Sequence, residues 1–191
     1  ADDGPPPALV PLLDTFERLA AEGLRFRLAV SLSPTLLEML SDDLHRRRCA
    51  RYMDSRIRLA EQELCRTQRE QQELRPSVEM YNSRFQRLRS LFVERYDCNL
   101  TGAFLRLAER GYLELLTTAA THGYLPLLEP NRQTARAQIQ VGLETFRTLT
   151  GLSPEGFWLP ECGYRHGLDG LLTEAGLQYC ILDTPALIGA R

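Results

Sequence analysis

The stretch Gly111-Tyr-Leu-Glu-Leu-Leu-Thr-Thr-Ala-Ala-Thr-His-Gly-Tyr-Leu-Pro-Leu-Leu128 decides the fold. Leu113 to Thr118 reads as a strand, and the polar and aromatic residues Thr121, His122 and Tyr124 follow it directly. A short helix, Leu100 to Arg110, precedes it and gives way at Gly111. The alternation continues downstream. Thr134 to Leu149 offers Ile139, Val141, Leu143, Phe146 and Leu149 for helical packing and stops at Gly151. Gly156 to Leu159 is a short strand ended by Pro160 and Glu161. Leu168 to Ala175 is a helix closed by Gly176, and Tyr179 to Leu182 is a last strand ending at Asp183.

Upstream, Leu9, Leu12, Leu13, Phe16 and Leu19 recur at helical spacing between Ala8 and Ala21, and Gly23 ends that helix. Phe26 to Leu32 carries one charge, Arg27, in a mostly apolar run and reads as a buried strand. Ser33-Pro34 then opens a helix bearing Leu36, Leu37 and Leu40. Four strands, each flanked by a helix, predict an α/β protein: a few units of a β/α barrel or doubly wound parallel sheet. A small open α/β sheet is the alternative closure.

The middle, 42–110, reads as a helical insertion dense in Arg, Glu and Gln. Leu44, Tyr52, Ile57, Leu59, Leu64 and Leu74 leave wide polar arcs. Pro76 interrupts the pattern, and Met80, Phe85, Leu88, Leu91 and Phe92 form a second apolar stripe. No heptad persists, so one face packs and one meets water without a coiled coil. The lead-in, Ala1 to Pro7, has no periodicity. The polar start and the stop just after a strand suggest a piece of something larger.

With 191 residues, 43% apolar and 25% charged, the chain has the balance of a soluble globular domain. Its formal net charge of -2 argues against nucleic-acid or anionic-membrane partners. All 23 basic residues are arginine, which removes lysine Schiff bases, lysine nucleophiles and a complete Walker A loop. No apolar run approaches a membrane span, and no leader is visible. Five cysteines without a CxxC pair point to a reducing, cytoplasmic home. Three scattered histidines make a structural zinc site a poor fit.

Chemistry concentrates where strands end, the edge at which parallel α/β folds bind ligands. Glu161 leads: a carboxylate after proline, just beyond an apolar strand with an aromatic ring, suits attack on an anomeric carbon or work as a base. A carboxylate that merely favours a helix's first turn is the competing reading. His122 either hydrogen-bonds a sugar hydroxyl or is a plain loop histidine. Trp158 is either a stacking platform for a pyranose or a core side chain, and Tyr124 ranks below it. Arg165 and His166 read as solvated loop residues, His45 and Arg46 to Arg48 as a solvated helix surface, and Cys162 as a poor nucleophile candidate.

The 111–128 stretch and Gly156-Phe-Trp-Leu-Pro-Glu-Cys-Gly-Tyr164 resemble the second and third conserved regions of glycoside hydrolase family 57. The resemblance is closest to its 1,4-α-glucan branching-enzyme-like members, and covers nearly all the chain after the lead-in. It implies that residues 1–191 are part of an incomplete (β/α)7 barrel catalytic domain with an inserted helical segment. It also implies a retaining enzyme that forms α-1,6 branches in amylose- or glycogen-like α-glucans. Glu161 matches the nucleophile, His122 a histidine contacting sugar at the cleavage point, and Trp158 an aromatic of the same pocket; Tyr164 and Asp183 fall nearby. No cofactor is implied, since glycosyl transfer through a carboxylate needs neither metal nor redox group.

The family's opening histidine-rich strand is missing before Ala8, and its general acid/base aspartate is expected beyond Arg191. The 191 residues alone are therefore expected to be inactive, and their sheet edges to need the rest of the barrel or another copy of the chain. A family-57 amylase or 4-α-glucanotransferase is the nearest rival. A non-catalytic carbohydrate-binding or assembly module on the same scaffold is another, and a metal-dependent polysaccharide deacetylase lacks its Asp/His set here.

Overall fold

A computed structural model describes residues 8–128, 131–184 and 188; the lead-in Ala1 to Pro7 lies outside them. By its contacts the chain forms two compact units, one of residues 1–24 and 39–106, the other of residues 25–38 and 107–191.

The second unit carries a four-stranded parallel sheet, β1 (Leu28–Ser31), β2 (Leu113–Thr118), β3 (Gly156–Trp158) and β4 (Tyr179–Ile181), in that spatial order. Parallel neighbours need helical crossovers. Here α7 (Arg132–Thr150) links β2 to β3, and α8 (Leu168–Glu174) links β3 to β4. The helices bury an apolar face against the sheet: Ala119, Ile139, Leu143, Phe157, Leu168 and Leu171 belong to one core cluster. Register pairs Ser31 with Leu116, Thr118 with Trp158, and Trp158 with Ile181.

Several expectations need correction. The buried strand expected over Phe26 to Leu32 is the shorter β1, and Leu28 stays 43% exposed. Among the described strands β1 pairs only with β2, so it lacks cover on its other side. Phe26, outside the strand, stacks on Tyr112 instead, with ring centroids 4.9 Å apart. The α7 helix begins before Thr134 because the Asn131 side chain accepts hydrogen bonds from Gln133 and Thr134 N–H at 3.2 and 3.3 Å. Its end is as read, with Gly151 left-handed at φ 73°.

The first unit holds α1 (Leu9–Ala21) and the paired helices α3 (Asp43–Thr67) and α4 (Arg75–Ser90), the latter running into a π-helical turn, Leu91–Arg95. Two connecting helices, α2 (Pro34–Ser41) and α5 (Leu100–Glu109), complete the long elements. Pro76 does not break a helix; it sits in the first turn of α4, where its missing N–H costs nothing. The residues α3 buries are Cys49, Met53, Ala60 and Thr67, while Leu44 and Leu59 are exposed. Small side chains let two helices approach closely, which a hydrophobicity pattern does not reveal. Ion pairs add to this unit: Arg87 donates to the buried Asp14 at 2.6 Å, Arg95 pairs with Glu17 at 2.7 Å, and Arg89 with Asp54 at 2.5 Å.

Gly142 of α7 lets that helix lie against the end of β2: a Cβ there would stand 2.5 Å from the Thr118 carbonyl oxygen and 3.2 Å from Ala120 N. Gly142→Ala is expected to destabilise by ~1–3 kcal/mol, since overlap with backbone outweighs the ~1 kcal/mol of helix propensity gained. Gly170→Ala in α8, where the nearest atom is 3.9 Å away, is expected to be neutral or stabilising. Urea titration of both variants checks this.

At the other end of the sheet, Tyr179 of β4 crosses Gly156 of β3 to donate its hydroxyl proton to Glu114 of β2. Burial first, then Glu114, pushes the Tyr179 phenol from 10.0 up to about 12. A raised phenol value favours the protonated, folded form. This contribution is thus complete below pH 10.0 and lost as pH rises towards about 12. Comparing alkaline unfolding of the natural chain and Tyr179→Phe is expected to show this loss only in the former.

Candidate functional site

The loops that follow β2 and β3 lie in the sheet-bearing unit. The loop after β2 turns at once: His122 N–H donates to Ala119 O at 3.0 Å, and His122 adopts φ 55°. Gln138 of α7 clips this loop. Its carbonyl accepts from Ala120 N–H at 2.9 Å, and its side-chain oxygen accepts from Thr121 N–H at 3.0 Å. Its amide also donates to the Thr121 hydroxyl at 3.0 Å. After Tyr124 the chain forms α6 (Leu125–Leu128), a single turn that the sequence pattern did not suggest.

The loop after β3 is tighter. Pro160–Cys162 forms a 3-10 turn in which Glu161 (φ 53°, ψ 24°) and Cys162 (φ 54°) are left-handed. Each such conformation costs a non-glycine residue on the order of 1–3 kcal/mol, and persists only where surrounding bonds enforce it. Cys162 N–H to Leu159 O at 2.8 Å and Gly163 N–H to Pro160 O at 3.0 Å do so here. Glu161 is therefore no first-turn carboxylate of a regular helix; its side chain is 76% exposed beyond the strand end.

The two loops meet. His122 Nε2 stands 3.7 Å from Glu161 Oε1. Behind them the Thr118 hydroxyl, on a residue 1% exposed, donates to the Trp158 carbonyl at 2.7 Å and lies 3.4 Å from His122 Nδ1. Ser31, Ser33, Leu36, Thr118, His122 and Trp158 line a groove of about 290 Å³ beside this pair. Trp158 is half-buried and lines the groove. The Tyr124 ring packs over Gly163, where any Cβ would collide with it. This brings Tyr124 to the Glu161 loop.

Tyr164 is anchored to the core. Its hydroxyl donates to Asp169 Oδ1 at 3.0 Å, and its ring packs on the apolar cluster beneath the sheet. Burial and that carboxylate raise the Tyr164 phenol, while the same bond lowers the Asp169 carboxyl. Asp183 is exposed, two residues past β4. His166 lines a different groove with Arg132 and Leu168. His45 sits in the first turn of α3, its N–H and Nδ1 both 2.8 Å from the capping Asp42 carboxylate. No group of three metal-ligating side chains occurs among the described residues, and no described helix is long and apolar enough to cross a membrane.

Sequence reading missed Thr118, Gln138, Ser31 and Ser33. The two serines carried a weaker signal: Ser31 ends β1, and Ser33 opens α2, its hydroxyl accepting from Leu36 N–H at 3.2 Å. Gln138 carried none, because its partners lie 17 residues away in sequence.

Residues 11–190 match the family model described as Glycosyl hydrolase family 57. A 1,4-alpha-glucan branching enzyme of Thermococcus kodakarensis is 30% identical over 190 aligned residues, covering 92% of this chain and 27% of that protein. The crystal structure of the alpha-amylase AmyC from Thermotoga maritima is similar with a TM-score of 0.84 and 34% identity, over 92% of this chain and 33% of that one. That of a GH57-type branching enzyme from Pyrococcus horikoshii matches with a TM-score of 0.84 and 32% identity, over 90% and 35%. The chain thus spans about a third or less of these relatives' length. Its sheet and helices are part of an incomplete (β/α)7 barrel with an inserted helical segment, as the family resemblance implied. Matched over residues 11–190 and alike in fold to enzymes of known structure, the chain belongs to glycosyl hydrolase family 57.

Proposed function

We propose that this chain is part of the catalytic domain of a 1,4-α-glucan branching enzyme, with Glu161 as its nucleophile and residues 42–110 as an insertion in the barrel. The single observation that carries the reading is the left-handed Glu161, held 3.7 Å from His122 at the edge where the strands end. The branching enzymes among its relatives support the choice of reaction.

In this reading an α-1,4-linked glucan lies along the groove. The Glu161 carboxylate attacks the anomeric carbon as the C1–O bond breaks, giving a covalent glycosyl-enzyme of inverted configuration. The leaving chain takes a proton from a second carboxylic acid, an aspartate supplied by a later strand than those described. That group then acts as base for a glucan 6-hydroxyl, whose attack on C1 restores the α configuration and creates the branch. The half-buried Trp158 offers an apolar ring for a pyranose face, and His122 offers a nitrogen to a sugar hydroxyl. Tyr124, Tyr164 and Asp183 complete the proposed substrate-binding set. The partners are α-glucan and the rest of the barrel or another copy of the chain, with neither nucleic acid nor membrane; the setting is cytoplasmic.

AmyC favours a second reading, a hydrolase acting on the same linkage. Linkage analysis of amylose treated with the protein that carries these residues separates the two. New α-1,6 bonds are expected, falling by at least about 10³-fold in Glu161→Gln. Reducing ends without branches would favour the hydrolase, and activity unchanged in Glu161→Gln would favour a non-catalytic module. The 191-residue chain on its own is expected to show no turnover.

A further inference from the structure

Thr118 connects the two halves of the site through one hydroxyl, and a hydroxyl has a single proton to give. The Trp158 carbonyl, 2.7 Å away, is an acceptor and nothing else, so it takes that proton. Toward His122 Nδ1, at 3.4 Å, Thr118 can then only accept. Thr118 is 1% exposed, so its hydroxyl has little solvent to bond instead. A hydrogen bond between these two groups therefore requires the imidazole proton on Nδ1.

The other ring nitrogen is consistent with this. Nε2 is 3.7 Å from Glu161 Oε1, beyond a hydrogen bond. At that separation no hydrogen bond calls for a proton on Nε2. The His122 backbone is held at φ 55° in a loop bonded to Gln138 through Ala120 and Thr121, which sets the ring beside Thr118.

We propose that Thr118 is a positioning residue that holds the proton of neutral His122 on Nδ1, leaving Nε2 as an acceptor beside Glu161. Such an Nε2 recognises the hydroxyl of a polyhydroxylated substrate and gives no hydrogen bond to the carboxylate. Glu161 thereby keeps its lone pairs for attack. The assignment of the proton rests on geometry alone; its consequence for catalysis rests on the glycosyl-transfer reading.

The test is imidazole ¹⁵N spectroscopy of the histidine-labelled protein, which distinguishes protonated from bare ring nitrogens. Only three histidines are present, and His45→Gln and His166→Gln assign the remaining signal. With the ring neutral, His122 is expected to show Nδ1–H. Thr118→Ser is expected to retain it, and Thr118→Val to move the proton to Nε2, the tautomer favoured in water. An Nε2–H signal in the natural protein would overturn the proposal, even if Thr118→Val fails to fold; so would a Thr118→Val spectrum unchanged from it. In the protein that carries these residues and turns over amylose, turnover is expected to fall about tenfold in Thr118→Val and to recover in Thr118→Ser. Failure of the glycosyl-transfer reading shows separately, as activity indifferent to Glu161→Gln with the Nδ1–H signal intact.

Discussion

The register of β2 against β3 is the constraint on which the site depends. Parallel pairing sets Thr118 beside Trp158, residues separated by 40 positions, and the hydroxyl-to-carbonyl bond between them fastens the two strand ends together. Both loops start from that point. A slip of one residue would turn Thr118 and Trp158 to opposite faces and separate His122 from Glu161. The helix α7 defends the register from outside. Its Gly142 admits the β2 backbone, and its Gln138 takes up loop N–H groups that would otherwise lack partners.

Electrostatics divides the labour differently in the two units. In the unit of α1, α3 and α4, the carboxylates of Asp14, Glu17 and Asp54 each meet an arginine, whose planar fork suits carboxylates held in partly buried positions. Asp14, nearly buried, depends on Arg87 to keep its charge satisfied. In the sheet unit the ends of the strands differ. At their start a phenol donates to a carboxylate across β3; at their finish a carboxylate stands exposed beside a histidine. At that finish the Glu161 carboxylate is open to a ligand.

Much of this was legible in the residues. The strand Leu113–Thr118 and the helices closed by Gly151 and Gly176 follow from period and from glycine's tolerance of positive φ. Glu161 and His122 stood out because polar groups clustered after apolar runs. What the pattern could not reveal depends on side chains meeting across distance. Cys49, Met53 and Ala60 are buried where leucines are not, Tyr164 turns to Asp169, and Thr118 looked like an ordinary strand residue until its register with Trp158 was known. The left-handed turn at Glu161 was hidden as well, since no glycine announces it.

The proposed reaction turns on a covalent bond between Glu161 and a glucosyl unit. Trapping with a fluorinated α-glucosyl fluoride that slows the second step, followed by mass spectrometry of the digested protein, tests it most directly. One added fluoroglucosyl mass is expected on the peptide that contains Glu161, absent from Glu161→Gln. A label on another carboxylate, or no label while the protein still turns over amylose, would contradict it.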